Sequence, residues 1–400
     1  MRVPDLVRSF ILAPCRAARK RIVVKAAKRK RLNERREAAH ELRTPVAEQL
    51  LIEEIPSVSE TRILCTSLGR GQFAQVAGSY SPRARVVCHF FDTWLADEAA
   101  AHCNVAGALR MPSTDAGAAT GHLEIVCAPD FPAGPFDLVA IPVDPRGEAE
   151  LTRDLLQAGH DRLAMQGRLL AATASEDDQW LHGEMRKVFE KVTRRPLDKG
   201  VLYLASKTAP LKKHKNFDCE FAFRDQDRLI RAFSRPGVFS HRSLDAGARA
   251  LLNTMSIGEA DRVLDIGCGS GPVALAAAFR TSSGTVVAID SHARAVECTA
   301  RGAALNGLTN VTVVLNHDGQ VPQPGTYDLV VGNPPYYSDY QIAEVFLQAA
   351  RRALKPGGRV LMVAKSCAWY ESRMAELFGD VQRHPHKQYT VIAGMGRQAG

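Results

Sequence analysis

Asn333-Pro334-Pro335-Tyr336 closes the apolar run Tyr327-Asp328-Leu329-Val330-Val331, about sixty residues after Val263-Leu264-Asp265-Ile266-Gly267-Cys268-Gly269-Ser270-Gly271. The earlier segment has the form of a strand running into a glycine-rich turn, where backbone free of Cβ atoms approaches a nucleotide-like cofactor closely. The later one has the form of a strand ending in a short polar-aromatic cup for a planar amine. An exocyclic ring nitrogen or an amide nitrogen is a poor nucleophile because its lone pair is delocalised. It needs acceptors that hold its two N–H groups while it pyramidalises. The Asn333 side-chain oxygen and the Pro334 carbonyl are placed to be those acceptors, the two prolines stiffen the turn, and Tyr336 offers a ring face. A lone glycine turn or a lone Pro-Pro pair has bland explanations. Both in this order within one α/β unit predict methyl transfer from S-adenosylmethionine to nitrogen, with alignment supplying much of the rate and no strong base required.

The elements around these segments complete a candidate site. Gly267, Cys268, Gly269 and Gly271 form the turn, and the helix after it starts with its N–H groups facing the ligand. Asp265 would orient the methionine end of the cofactor. Asp290, at the end of Val286-Val287-Ala288-Ile289 and followed by Ser291, would accept hydrogen bonds from both ribose hydroxyls. Asp318 would reach the adenine amino group, with Asn316 and His317 as less favoured substitutes. A nicotinamide site fits less well, because Pro272 and Val273 stand where Gly-x-Gly-x-x-Gly requires its last glycine, and hydride chemistry leaves Asp265 unexplained. His241, His292, His384 and His386 lie scattered without a clear partner and receive no role.

The pattern needs an α/β scaffold, and the chain carries it twice. At a shift of 200, Arg62-Ile63-Leu64-Cys65-Thr66-Ser67-Leu68-Gly69-Arg70-Gly71 lies over residues 262–271, Ala74 over Ala274 and Val86-Val87 over Val286-Val287. At a shift of 191, Phe136-Asp137-Leu138-Val139 lies over Tyr327-Asp328-Leu329-Val330, and Gly167-Arg168-Leu169-Leu170 over Gly358-Arg359-Val360-Leu361. Each half alternates short β-rich runs with helical stretches, which predicts two tandem Rossmann-like domains with mostly parallel, doubly wound sheets. In the second, strands are expected at 262–266, 285–289, 311–315, 327–332, 359–364 and 389–394. Helices are expected near 271–280, 292–306, 340–354 and 369–378, with Lys355-Pro356-Gly357-Gly358 stopping the third. The expected division is a basic N-terminal extension (1–45), a degenerate first copy (46–207), a linker (208–229) and the catalytic domain (230–400). The first copy has Cys65 for Asp265, Ser67 for Gly267, and Ile141-Pro142-Val143-Asp144 where the second has Gly332-Asn333-Pro334-Pro335. It reads as a scaffold or docking module.

Composition sets outer limits. Four hundred residues with 46% hydrophobic content suffice for two cores. The formal charge is +9, but residues 1–45 hold fourteen Lys and Arg against Asp5, Glu34, Glu37 and Glu41, and the rest of the chain is close to neutral. That basic segment suits phosphate contact, with a solvated extension or an organelle transit peptide as the other readings. Phe10-Ile11-Leu12-Ala13 is too short for a signal or a membrane span. Nine cysteines without a Cys-x-x-Cys pair fit a reducing cytosol and no structural zinc.

Phe233 to Gly247, the glycine turn, Asp290 and Asn333-Pro334-Pro335-Tyr336 together resemble the tandem-domain bacterial ribosomal RNA guanine-N2 methyltransferases, which share the "small" methyltransferase module. The likeness is strong over 217–400 and architectural over 46–207, while 1–45 have no counterpart. Tyr336 stands where the closest members usually carry Phe. The resemblance implies methylation of guanine N2 in small-subunit ribosomal RNA by a monomeric cytoplasmic enzyme using S-adenosyl-L-methionine and no metal. The target base would leave its stack, and the first domain and basic arm would hold the surrounding RNA or ribosomal subunit. The large-subunit enzyme of like architecture is the near alternative. The same cup also serves enzymes that methylate a release-factor glutamine or adenine N6, but the former carry a small helical first domain and the latter a target-recognition region not seen here. An RNA-binding protein that has lost turnover is the remaining alternative.

Overall fold

Two sheets with the same strand order carry the molecule. The computed structural model describes residues 44–110, 122–335 and 338–397. In the first half, α1 (Val46–Glu53) leads to β1 (Arg62–Thr66), α2 (Gln72–Tyr80), β2 (Arg85–Phe90) and α3 (Thr93–His102). Then come β3 (Leu109–Arg110), β4 (Leu123–Cys127), β5 (Phe136–Val143), α4 (Ala149–Arg162), β6 (Leu163–Thr173), α5 (Trp180–Met185), β7 (Val192–Leu197) and β8 (Gly200–Ser206). A hairpin, β9 (Cys219–Asp225) and β10 (Arg228–Ser234), precedes the second half. There α6 (Ala246–Thr254), β11 (Arg262–Ile266), α7 (Pro272–Arg280), β12 (Thr285–Asp290), α8 (Ala293–Leu305) and β13 (Val311–Leu315) are followed by β14 (Tyr327–Gly332), α9 (Gln341–Ala353), β15 (Leu354–Ala364), α10 (Cys367–Leu377), β16 (Gly379–His386) and β17 (Tyr389–Met395).

The first sheet runs β3-β4-β2-β1-β5-β6-β8-β7 and the second β13-β12-β11-β14-β15-β17-β16. Apart from the short β3, the two orders superpose strand for strand. In each, β8 or β17 is antiparallel to its neighbours while the central strands are parallel. These are the tandem Rossmann-like sheets expected from the repeat. Central strands carry apolar side chains on both faces because helices cover both, as Val263 and Leu264 at 0% exposure illustrate. α9 buries Ala343, Phe346, Leu347 and Ala350 along one stripe and turns Arg351 and Arg352 outward, so it seals one face behind the strand tips.

The expected linker and the C-terminal edge of the second sheet differ from expectation. The expected linker 208–229 runs into the hairpin, whose Phe223, Ile230 and Ala232 alternate onto the second domain's core. A buried pair fixes it there: Arg280 at the end of α7 reaches Asp225 with Nε at 2.9 Å, and also donates to the carbonyls of Leu252 and Met255. β16 was not expected at all. Its sequence, Gly-Asp-Val-Gln-Arg-His-Pro-His, is polar and holds a proline, which an edge strand paired only with β17 tolerates.

The halves meet through corresponding loops. The N–H of Thr93 donates to the Ser291 carbonyl at 2.9 Å and that of Ala293 to the Phe91 carbonyl at 2.7 Å. Residues 91 and 93 lie 200 positions before 291 and 293, so the contact is reciprocal, as in a two-fold dimer. Arg294 then breaks the symmetry. Its guanidinium is buried, donates to the carbonyls of Pro129 and Pro236 and to Asp154, and lies 4.3 Å from the Phe91 ring centre.

Candidate functional site

The parallel register of β11 and β14 sets the site. Their last paired residues are Ile266 and Gly332, so the next positions, Gly267 and Asn333, leave neighbouring strand tips side by side. Adjacent strands are about 4.8 Å apart, which puts the glycine turn and the Asn333-Pro334 cup against each other at the carboxyl edge of the sheet, where such folds bind ligands. Pro334 is buried and Asn333 and Pro335 half-buried. Tyr336 lies outside the described residues.

The glycines have separate reasons. A Cβ on Gly267 would stand 2.7 Å from Cζ of Phe346, and one on Gly332 2.9 Å from Cδ2 of the same ring. Both therefore let α9 close on the strand tips. At Gly269, with φ +57°, a Cβ would meet nothing within 4 Å, so this turn of backbone faces open space that a ligand could enter. Gly271 begins α7 and packs on Thr299, whose hydroxyl donates to the Gly269 carbonyl at 3.1 Å and lies 3.4 Å from the buried Cys268 thiol.

Two acids lie under the turn. Asp290 accepts from the Gly269 N–H at 2.8 Å and the His292 N–H at 2.9 Å. Burial pushes its carboxyl up to about 6 against those hydrogen bonds, and the Asp92 charge of the first domain adds to the rise. Asp265 is 3% exposed, and its Oδ2 has no hydrogen-bond partner in the protein. Burial, with the Asp290 charge next, pushes Asp265 up to about 7. A buried carboxylate oxygen without a donor is expensive unless a ligand completes it, and a cationic donor suits it best.

The other expected residues are placed differently. The Ser291 hydroxyl turns away to the first domain, donating to Asp92 at 2.6 Å. Asp318 is exposed in the loop after β13, where its carboxylate accepts from the Gln320 N–H. Beside it, His317 lies 3.1 Å from the Thr93 hydroxyl, so the first domain braces this loop too. Asp245, unassigned in the sequence, caps α6 and accepts from the Asn333 side-chain NH2 at 2.9 Å. Among the described residues, no group of three or more His, Cys, Asp or Glu could hold a metal ion, and no helix is long and apolar enough to cross a membrane.

The first copy's turn is already filled. Glu48 on α1 is 0% exposed; its carboxylate accepts from the Phe73 N–H at 3.0 Å and the Ser67 hydroxyl at 2.8 and 3.0 Å. The Ser67 oxygen in turn accepts from the N–H groups of Gly69 and Gly71, both at 3.0 Å. Burial raises the Glu48 carboxyl above the usual range despite these bonds. At the 200-residue shift Glu48 corresponds to Ala248, and Phe90 to Asp290. The first copy thus carries its own anion at the helix start and has no acid at its second strand end. Glu48→Ala leaves the Phe73 N–H and the Ser67 hydroxyl without their acceptor. It is expected to destabilise the protein by about 2 kcal/mol, read as a lower midpoint in denaturant, with cofactor stoichiometry unchanged at one per chain.

Residues 230–393 match the model of the methyltransferase small domain. The match lies within the second half of the chain. Among curated relatives, the "ribosomal RNA small subunit methyltransferase C" of Chromohalobacter salexigens is 37% identical over 168 residues, which are 40% of this chain and 47% of that protein. The protein of that name from Klebsiella pneumoniae is 33% identical over 47% of this chain and 53% of its own length. The chain thus spans about half the length of the curated relatives it matches. One solved structure covers both halves. It is described as the T. thermophilus 16S rRNA N2 G1207 methyltransferase (RsmC) in complex with AdoMet and guanosine, and it superposes with a TM-score of 0.69 at 21% identity over 88% of this chain and 92% of that one. That likeness extends the tandem fold to the half preceding the methyltransferase small domain. Within that domain the glycine turn, both buried acids and the Asn333-Pro334 cup share one edge of the sheet.

Proposed function

We propose that the chain is an S-adenosylmethionine-dependent methyltransferase acting on the exocyclic N2 of a guanine in ribosomal RNA, that of the small subunit. The observation that carries this reading is the adjacency of Gly267 and Asn333 on neighbouring strand tips, above an acid whose Oδ2 lacks a donor. A cofactor with a ribose at one end and an ammonium at the other fits the residues present. Asp290 would take the vicinal hydroxyls, Asp265 the ammonium, the open face of Gly269 would let the ligand approach the backbone, and Asp318 would reach the adenine edge. S-Adenosylmethionine, when bound, supplies an electrophilic methyl group on a sulfonium.

The chain's own residues then position the acceptor. Asn333 Oδ1 and the Pro334 carbonyl accept the two N–H groups of the flat amine and hold its lone pair towards the turn. Acceptors fixed in this way before reaction lower the barrier without reorganisation. Phe346 on α9 packs directly behind the two strand tips, against Gly267 and Gly332. Tyr336 is the proposed stacking face for the base. Residues 230–400 form the catalytic unit, residues 46–207 a scaffold that docks RNA, and the basic segment 1–45 an arm along phosphates, acting as a monomer in the cytoplasm. The names of the relatives and the description of the solved structure support the choice of RNA over protein.

The decisive experiment offers labelled S-adenosylmethionine to unmodified ribosomal RNA, assembled subunits and release factor, followed by nucleoside analysis. N2-methylguanine in small-subunit RNA is expected. Label confined to protein, or in adenine, rejects the reading, and cofactor binding without turnover on any acceptor makes the chain an RNA-binding relative instead.

A further inference from the structure

We propose that Asp245 is a positioning residue for the transfer step: it fixes the Asn333 amide with its oxygen turned towards the incoming amine. The inference rests on the methyltransferase reading above and adds a residue to it. Asp245 sits just before α6 in extended backbone, and one carboxylate oxygen, Oδ2, accepts three hydrogens: from the Gly247 N–H at 2.7 Å, the Ala248 N–H at 3.1 Å and Asn333 Nδ2 at 2.9 Å. The first two are ordinary helix capping, which Ser, Thr or Asn would do as well. The third reaches 88 residues along the chain and is not needed for a cap.

Its consequence follows from donor and acceptor chemistry. A side-chain amide has two ends of nearly equal size, one donating and one accepting, whereas a carboxylate only accepts. Facing Asp245, the amide must present its NH2 group, so Oδ1 occupies the opposite end. Gly247 supplies the room, since a Cβ there would stand 2.8 Å from Asn333 Oδ1 and 2.9 Å from Nδ2. The amide therefore packs against Gly247 beside the Asp245 carboxylate.

The first copy gives an independent observation. The 200-residue shift puts Pro45 at the position of Asp245 and Ala47 at that of Gly247, and the 191-residue shift puts Pro142 at that of Asn333. The cap acid, the glycine and the amide are absent together in the half that lacks the cup. Helix α1 forms there all the same, so the set is not required to build the helix.

Asp245→Ser separates the two roles, because serine still caps but is too short to hold the amide. In the full-length protein the expected result is a thermal midpoint and cofactor affinity close to wild type, KM for RNA little changed, and kcat lowered roughly 10²-fold, the scale of a small misplacement of a reacting group. The double variant Asp245→Ser, Asn333→Ala should be no slower than Asn333→Ala alone, since both changes remove one interaction. Gly247→Ala should lower kcat in the same way, because its Cβ would stand 2.8 Å from both Asn333 Oδ1 and Asp245 Oδ2 and so push the pair apart. A second readout needs no turnover. In 15N-labelled protein the Asn333 side-chain NH2 signal, assigned by its loss in Asn333→Asp, should be protected from solvent exchange in the wild type and exchange faster in Asp245→Ser. A folded Asp245→Ser with kcat at the wild-type value, losses that multiply in the double variant, or an amide signal indifferent to position 245 would overturn the proposal. Wild-type protein that shows the protected amide but transfers the methyl group to protein rather than RNA would sink the RNA reading and leave this one standing, whereas no turnover on any acceptor would sink both.

Discussion

Asn333→Ala is expected to lower kcat roughly 10²- to 10³-fold, the effect of removing one preorganised polar group from a reacting centre, with cofactor affinity little changed. The split follows from where the residue sits. Asn333 lies past the end of β14, beside the glycine turn; on the proposed reading it holds the acceptor, so its removal would cost acceptor alignment and leave Asp290 and Asp265 in place for the donor. Its side chain is also half-buried and bonded to the α6 cap, so a modest fall in thermal midpoint should accompany the loss. Steady-state kinetics and cofactor titration on one preparation check the prediction. An equal fall in kcat and in cofactor affinity would mean that position 333 supports the turn rather than the amine. Full activity in a folded variant would remove the cup from the mechanism.

Much of the fold was legible because parallel central strands are written locally. β11, β13 and β14 coincide with the expected 262–266, 311–315 and 327–332, since a short β-branched run bounded by Gly, Asp or Asn needs no distant partner to be recognised. Where a segment's role depends on what it meets, the reading was incomplete. The hairpin looked like a linker because only every second residue is apolar, and its partner, Arg280, lies over fifty residues away. β15 begins at Leu354, through the Lys355-Pro356-Gly357-Gly358 stop, because Leu354 already pairs with Tyr327. The candidate site divides in the same manner. The glycine turn and the acids at strand ends follow from position along a strand, whereas Glu48 and Asp245 act on residues 25 and 88 positions away. A signal for both did exist. Aligned through the repeat, Pro45, Ala47 and Glu48 oppose Asp245, Gly247 and Ala248, and an acid appears on the helix of the copy that has none on its strand. Ser291 could not be placed from the chain alone, because its hydroxyl is claimed by the loop related to it by pseudo-symmetry.

Asp290→Ala should weaken S-adenosylmethionine binding by about 3 to 6 kcal/mol, the range for two hydrogen bonds to a charged acceptor, or roughly 10²- to 10⁴-fold in Kd. The same pair of acids makes binding depend on pH. Asp265 and Asp290 titrate at about 7 and about 6 in the folded protein, both above the ordinary value of 3.8. Between pH 4 and 7 the folded state therefore holds more protons at these sites than the unfolded chain. Their stabilising effect is complete below the unfolded value and is lost as pH rises through the folded ones. His89 and His292, which burial holds at about 4 and about 3 in the folded protein, act in the opposite sense over part of this range, so the contribution of Asp265 is read as a difference: the stability of wild type relative to Asp265→Asn should fall between pH 5 and pH 7.5. A ligand ammonium at Asp265 and hydroxyls at Asp290 favour the charged carboxylates, so binding expels the protons. Affinity should rise from pH 5 to about 7 and then level, and calorimetry in buffers of different ionisation enthalpy should register proton release near pH 6.5. The first domain enters here, because the Asp92 charge contributes to the rise at Asp290. Asp92→Asn should move the titration towards lower pH while Asn still caps α3. Binding that takes up protons, or that is indifferent to pH in the wild type, would mean that the two acids do not meet the cofactor's ammonium and ribose.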